Sequence, residues 1–271
     1  MEKWRLLDTG TADPFTNMAI DEAILWEHAA GGNLPTLRFY AWDPPTISLG
    51  YFQRADKEID LEAVARRNLG LVRRLTGGRA VLHHHEVTYS VVAREDHPLM
   101  QGGVLPSYLR LANALAQGLR NMGAPVELAS GKKRAERTSA ACFDAPSWYE
   151  ITWEGKKIIG SAQTRKGGVV LQHGSIIIKL NVEDLFAVLK MPNEAVRERL
   201  KEKFLHQAAG LEDVLNRPVY PEEIKGHILN AFRELYNMEF VSEGLTPGEE
   251  ARLPELRAKY ASPQWLFKHG E

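Results

Sequence analysis

The stretch that decides the fold runs from Ser147 to Leu180, SWYEITWEGKKIIGSAQTRKGGVVLQHGSIIIKL. Three runs rich in Ile, Val, Thr and aromatic residues, Ser147 to Trp153, Lys157 to Thr164 and Val169 to Leu180, are separated by Glu154-Gly155 and Gly167-Gly168. Strand-forming residues joined by short glycine turns predict consecutive antiparallel hairpins.

Downstream of this stretch the pattern turns helical, over Val182 to Leu189, Asn193 to Phe204 and Pro221 to Tyr236. Upstream, Trp4 to Asp8 reads as a first strand. Asp13-Pro14 opens a helix that runs through Asn17 to His28, since a carboxylate cap followed by proline suits a helix start. Leu37 to Trp42 alternates with period two, and Thr46 to Tyr51 is a short strand beyond the Pro44-Pro45 turn. A helix over Asp60 to Asn68 precedes a strand over Leu71 to Leu75, and Ala80 to His85 with Val87 to Ala93 reads as a hairpin or a bent pair of strands. Ser107 is expected to cap the clearest helix, whose Leu111, Ala112, Leu115 and Leu119 share a face and which Gly123 ends. The expected class is α+β, a mixed and mainly antiparallel sheet flanked by helices. Residues 1–240 read as one domain. Residues 241–271, polar and punctuated by proline, read as a C-terminal extension appended to it.

Composition narrows the function. The chain has 271 residues, 44% hydrophobic and 25% charged, which is ordinary for a soluble globular protein. A net charge of −1 supplies no global field for nucleic acid or an anionic membrane, and no run approaches the roughly 20 apolar residues of a membrane span. Met1 to Arg5 alternates charge with apolar residues and leads into no signal-like core, and the single cysteine forms no internal disulfide. A cytoplasmic protein without membrane or nucleic-acid partners is expected, and nothing requires more than a monomer.

Several residues are equipped for chemistry. Cys142 lies between a basic loop (Lys132 to Arg137) and a strand that begins after Pro146. A lone cysteine is ordinarily an inert small hydrophobe, and position alone favours that reading. Two small residues before it and cations nearby are what a reactive thiolate needs. Lys156 and Lys157 project to opposite faces of their strand, so one faces the interior, where it becomes a fixed charge or an acid–base group; two solvated hairpin lysines are the commoner case. Gly160-Ser161-Ala162, small residues within a strand, mark a close approach to the backbone. Gly77 and Gly78, flanked by Arg73, Arg74 and Arg79, can present N–H groups to an anion or carbonyl oxygen, although a turn explains them equally well, and no G-K-[ST] follows as in a P-loop. His83-His84-His85 invites a metal, but no cysteine or carboxylate completes a ligand set. No metal is expected, and one histidine serves as a pocket wall. Alternation would place His83 and His85 on one face and His84 on the other.

Together these strings resemble the lipoate-protein ligase and biotin ligase catalytic-domain family. Arg73 to His83 (RRLTGGRAVLH) resembles its R-R-x-x-G-G-x-x-V-x-H motif. Lys157 to Gln163 (KIIGSAQ) resembles its K-[IV]-x-G-S-A-Q motif, whose lysine is the family's essential one. Asn17 to Ala23, Arg38 to Trp42 and Ser48 to Gln53 match further elements in order. Where the family commonly has His-Asp, this chain has His83-His84. Cys142 to Glu150 (CFDAPSWYE) matches the family's LipM-type octanoyltransferases, in which the cysteine carries the acyl group, rather than its ATP-dependent ligases.

The resemblance implies that Cys142 and Lys157 are catalytic, with Arg73, Gly77, Gly78, His83, Gly160 and Ser161 binding substrate. An octanoyl group would pass from octanoyl-acyl carrier protein to Cys142, then to a lipoyl-domain lysine such as that of glycine cleavage H protein. Phosphopantetheine arrives on the donor, and no ATP or other cofactor is expected. The 132–137 loop would dock the acidic donor or stand as a solvated loop. Rival readings are an ATP-dependent lipoate ligase, an amidotransferase between lipoyl-domain proteins, and a non-catalytic binding protein of the same fold.

Overall fold

The computed structural model describes residues 1–129 and 150–268. Cys142, the 132–137 loop and the strand start at Ser147 lie outside the described residues. Among those described, the strands are β1 (Glu2–Ala12), β2 (Thr36–Trp42), β3 (Thr46–Leu49), β4 (Gly70–Arg73), β5 (Val81–His83), β6 (Glu86–Arg94), β7 (Glu127–Ala129), β8 (Glu150–Trp153), β9 (Lys156–Lys166), β10 (Val169–Ile177) and β11 (Met238–Ser242). The helices are α1 (Pro14–Ala29), α2 (Ala55–Glu58), α3 (Leu61–Arg66), α4 (Val104–Asn121), α5 (Val182–Val188), α6 (Glu194–Leu205), α7 (Leu211–Leu215), α8 (Pro221–Tyr236), α9 (Pro247–Ala261) and α10 (Pro263–Leu266).

One large sheet has the order β11-β1-β2-β6-β10-β9-β8-β7, and a small one the order β4-β3-β5. β1 is parallel to both its neighbours and β3 is parallel to β4, while the other pairs are antiparallel. The hairpins expected between residues 150 and 177 form as β8-β9 and β9-β10, their glycine turns in the left-handed region at Gly155, Gly167 and Gly168. The sheet is mixed and mainly antiparallel, flanked by helices, as the sequence predicts.

The large sheet buries both faces. Phe39, Tyr89 and Val91 pack with Leu111 and Leu115 of α4 and with Ile228 and Phe232 of α8. Tyr40, Val92 and Leu171 pack with Ile20 and Ile24 of α1 and with Leu256 and Tyr260 of α9. The small sheet lies over a third cluster in which Ile47 and Leu49 meet Val64, Phe186 and Phe204. The Asp13 side chain caps α1 by accepting from the Phe15 and Thr16 amides. α4, in contrast, begins at Val104, a turn before the expected Ser107 cap. The Ser107 hydroxyl instead donates back to the carbonyls of Gly103 and Val104.

The segment beyond residue 240 packs against this body. β11 extends the large sheet beside β1, and α9 covers α1. Arg5 and Glu249, both fully buried, form an ion pair across that junction. Hydrophilic composition concealed this because the tail docks through charged and main-chain contacts as much as apolar ones.

Candidate functional site

The two sheets face one another across a cavity. Its walls come from the large sheet (Tyr40, Trp42, Thr88, Gly160 to Ala162, His173 to Ser175), from the small sheet and the loop between β4 and β5 (Ser48, Arg74, Gly78, Val81, His83), and from Met18 of α1. Gly174 makes the space. It stands opposite Ser161 on β9 and Tyr89 on β6, and a Cβ there would sit 2.6 Å from the Tyr89 ring and 2.7 Å from the Gly160 carbonyl oxygen. Beneath it Gln172 donates to the Tyr89 hydroxyl, which shares a 2.7 Å hydrogen bond with the Ser161 hydroxyl. Burial, opposed by these hydrogen bonds, pushes the Tyr89 phenol upward, so it stays neutral.

Arg74 ties the small-sheet wall together. Its guanidinium donates to the Thr76 and Ser48 hydroxyls and to the carbonyls of Ser48, Gly77 and Arg79. That cradle requires Gly78, which has φ +97° and where a Cβ would meet Arg74 Nη2 at 2.7 Å. On one side, Asp21 accepts from Arg38, Tyr40, Ser90 and His173 Nδ1. Burial would raise this carboxyl, but Arg38, His173 and Ser90 hold it at about 2. The His173 imidazole is driven down, first by burial and then by Arg74 and His83 against the pull of Asp21. On the other side, His83 Nδ1 lies 2.7 Å from Glu86 Oε1, and Trp42 stacks on the His83 ring at 4.3 Å. Glu86 also accepts from Thr88 and Ser175.

The structure brings Gly78, His83, Gly160 and Ser161 into one cavity. Arg73 points the other way, because successive residues of a strand face opposite sides. It is fully buried and donates to the carbonyls of Gly50, Tyr51, Gln53, Trp265 and Leu266, so it braces the chain and Arg74 holds the cavity. Gly77 contributes its carbonyl to Arg74 and stands beside the exposed ring of Phe52. Lys157 is the inward lysine of its pair, only 3% exposed, and its Nζ donates to Glu150 Oε1 at 3.0 Å. Its backbone pairs with Gln207 and Ala209, and three residues further along β9 begins the cavity wall. The His83–His85 alternation stops at His83. His85 adopts φ +50°, and its ring stacks on that of His84 at 3.7 Å. The side chains not foreseen are Ser48, Thr76, Glu86 and His173, with Met18, Tyr40 and Trp42 as apolar lining. The one visible signal was His173-Gly174-Ser175, a polar interruption of an apolar strand.

A cavity between a large and a small sheet, with a buried lysine leading into the strand that walls it, defines a class. The family model of the lipoyl protein ligase A/B catalytic domain matches residues 13–233, and the chain belongs to that family. Within it the chain groups with acyltransferases. Octanoyltransferase LipM of Moorella thermoacetica is 73% identical over 267 residues, covering 98% of each chain. Octanoyltransferase LipM of Geobacillus kaustophilus is 48% identical, covering 98% of this chain and 99% of its own. Among solved structures, a bipartite lipoate protein ligase from Thermoplasma acidophilum superposes with a TM-score of 0.83 at 27% identity, covering 100% of this chain and 98% of that one. A lipoate-protein ligase A bound with ATP does so at 0.80 and 27%, covering all of both chains. Among the described residues no helix is long and apolar enough to cross a membrane.

Proposed function

We propose that this chain is an octanoyltransferase of lipoate biosynthesis, moving an octanoyl group through a thioester on Cys142 to a lysine of a lipoyl-domain protein. The observation that carries the reading is the burial of Lys157. A lysine is seldom buried without a task, and this one is held by its Glu150 partner on the strand that continues into the cavity wall. The names of the relatives, the Cys142 to Glu150 string and the apolar cavity lining support the same reading.

In the first step the Cys142 thiolate attacks the carbonyl carbon of octanoyl-acyl carrier protein. The new C–S bond forms, the old one breaks, and its electron pair leaves on the phosphopantetheine sulfur, which takes a proton. The Lys157 ammonium favours the thiolate by its charge. In the second step the acceptor amine attacks the same carbon, an amide forms, and the Cys142 sulfur leaves with its electron pair. The amide is more stable than the thioester, so no ATP or other cofactor is consumed. Glycine cleavage H protein, which carries a lipoyl domain, is the proposed acceptor, and the enzyme works as a cytoplasmic monomer. Residues 132–137, rich in Lys and Arg, are proposed to speed encounter with the acidic donor.

Intact-mass analysis tests this. Wild type mixed with octanoyl-acyl carrier protein and no ATP should gain one hydroxylamine-labile octanoyl group, and an apo lipoyl domain should remove it. An adduct that persists in Cys142→Ala, or turnover that requires free octanoate and ATP, would overturn the proposal.

A further inference from the structure

The cavity wall contains a proton path that the thioester chemistry leaves unassigned. Ser48 Oγ lies 2.7 Å from His83 Nε2, and His83 Nδ1 lies 2.7 Å from Glu86 Oε1. The direction of each bond follows from what the partners can give. A carboxylate has no proton to offer, so His83 Nδ1 carries the hydrogen, and in the uncharged ring Nε2 is then the acceptor. Arg74 has only protons to give, and its Nη1 donates to Ser48 Oγ at 3.0 Å. The Ser48 hydroxyl hydrogen is therefore turned toward His83. Thr88 and Ser175 donate to Glu86 as well, and Trp42, stacked on the His83 ring, donates to the Thr88 hydroxyl. The imidazole is clamped in one plane and one tautomer. Ser48, His83 and Arg74 all line the cavity, so the open end of the path faces the substrate space.

Transfer to an amine needs such a path. A lysine side chain arrives as ammonium, with an ordinary pKa near 10.4. It sheds one proton to solvent to expose its lone pair and a second as the amide forms. We infer that Ser48, His83 and Glu86 form the relay that takes this second proton, with Arg74 as the positioning residue that sets its direction; the inference rests on transfer through Cys142 to an amine. As the C–N bond forms and the C–S bond of Cys142 breaks, the amine hydrogen passes to Ser48 Oγ. The Ser48 hydrogen passes to His83 Nε2, and Glu86 holds the resulting imidazolium. The sulfur leaves with its electron pair, and the proton on His83 returns to solvent after the product departs. His173, Asp21 and Thr76 form a second carboxylate–imidazole–hydroxyl path from the same Arg74. Its hydroxyl is fully buried and does not line the cavity, so it is the supporting arm.

Two measurements decide the matter. The octanoylated protein is discharged either to an apo lipoyl domain or to 2-mercaptoethanesulfonate, which attacks as a thiolate and has no proton to shed after attack, and the ratio of the two rates is compared in wild type, Ser48→Ala and His83→Gln. The relay requires the lysine-to-thiolate ratio to fall roughly a hundredfold in both variants, the scale of general acid–base catalysis. General damage to the cavity would slow both nucleophiles together, so an unchanged ratio overturns the relay, as does an octanoyl ester on Ser48. The second measurement is the imidazole nitrogen NMR spectrum of the unacylated wild type. It should show His83 as the Nδ1–H tautomer, and an Nε2–H signal refutes the assignment whether or not a variant folds. A wild type that never forms the Cys142 adduct defeats the acyl-enzyme reading alone, since the tautomer still reports on the relay.

Discussion

Replacing Arg73 by Met should unfold the protein before it changes substrate affinity. The guanidinium makes six hydrogen bonds to five carbonyl oxygens, three in the 50–53 turn and two at the end of α10, and the Trp265 indole returns one to the Arg73 carbonyl. Bonds from a charged donor contribute about 1.5–3 kcal/mol each, and a carbonyl left unsatisfied in a buried site costs about 1–3 kcal/mol. These terms do not add, and water re-solvates the carbonyls nearest the surface, so a net loss of about 3–5 kcal/mol is expected. For a chain of this size each kcal/mol moves Tm by about 2–4 °C, giving a fall of about 6–20 °C. Arg73→Lys should recover less than half of that, because an ammonium is a single point donor. Thermal unfolding and hydrogen exchange of residues 263–268 are the assays, with the KM for octanoyl-acyl carrier protein measured well below Tm. Should Tm stay within about 2 °C while KM rises tenfold, Arg73 would be a substrate ligand and the bracing role refuted.

Three further outcomes are expected. Gly78→Ala should destabilise by about 1–3 kcal/mol through its positive φ and the contact with Arg74, whereas Gly77→Ala, whose Cβ meets only Phe52 at 3.9 Å, should change Tm little; equal effects would contradict the geometry. Gly174→Ala should cost a similar 1–3 kcal/mol and shift the ultraviolet absorption of the protein as the Tyr89 ring is displaced; a neutral result would mean that the cavity floor yields freely. Asp21 is held at about 2 in the folded protein against 3.8 ordinarily, so the unfolded chain binds its proton more readily. The stability it contributes is whole above about pH 4 and fades as pH falls toward 2, about 1 kcal/mol of it gone by pH 3. The stability gap between wild type and Asp21→Asn, measured by urea unfolding, should narrow by that amount between about pH 6 and pH 3, and a constant gap would show the carboxyl to be unperturbed.

The part of the sheet formed by β8, β9 and β10 was legible because its pairings are local. Residues 150–177 form two hairpins whose turns and alternation are visible in a single window. Lys157 and the Gly160 to Ala162 run were legible for the same reason: an inward lysine and missing side chains each leave a mark within a few residues. Which of Arg73 and Arg74 lines the cavity was not legible, because alternation separates two adjacent arginines without revealing which faces it. Ser48, Glu86 and His173 were overlooked because each is an ordinary polar strand residue until its partner arrives. Ser48 meets His83 across β3 and β5, and His173 meets Asp21 from 152 positions away. The docking of the tail was not legible because its anchors, Glu249 on Arg5 and the α10 carbonyls on Arg73, are pairings that composition does not express.

The placement of β1 has a consequence for the order in which the protein assembles. Thr36 pairs with Arg5 from 31 positions away, but Met238 pairs with Glu2 from 236 positions away. Loop closure grows with the logarithm of span, so from an open chain the second pairing is dearer by about 2 kcal/mol. During synthesis β1 appears early, takes β2 as soon as residues 36–42 emerge, and keeps its other edge unpaired until nearly the whole fold has been made. The outer edge of β1 therefore has no partner until residues 238–242 have been made. β11 then acts as the cover that ends this exposure.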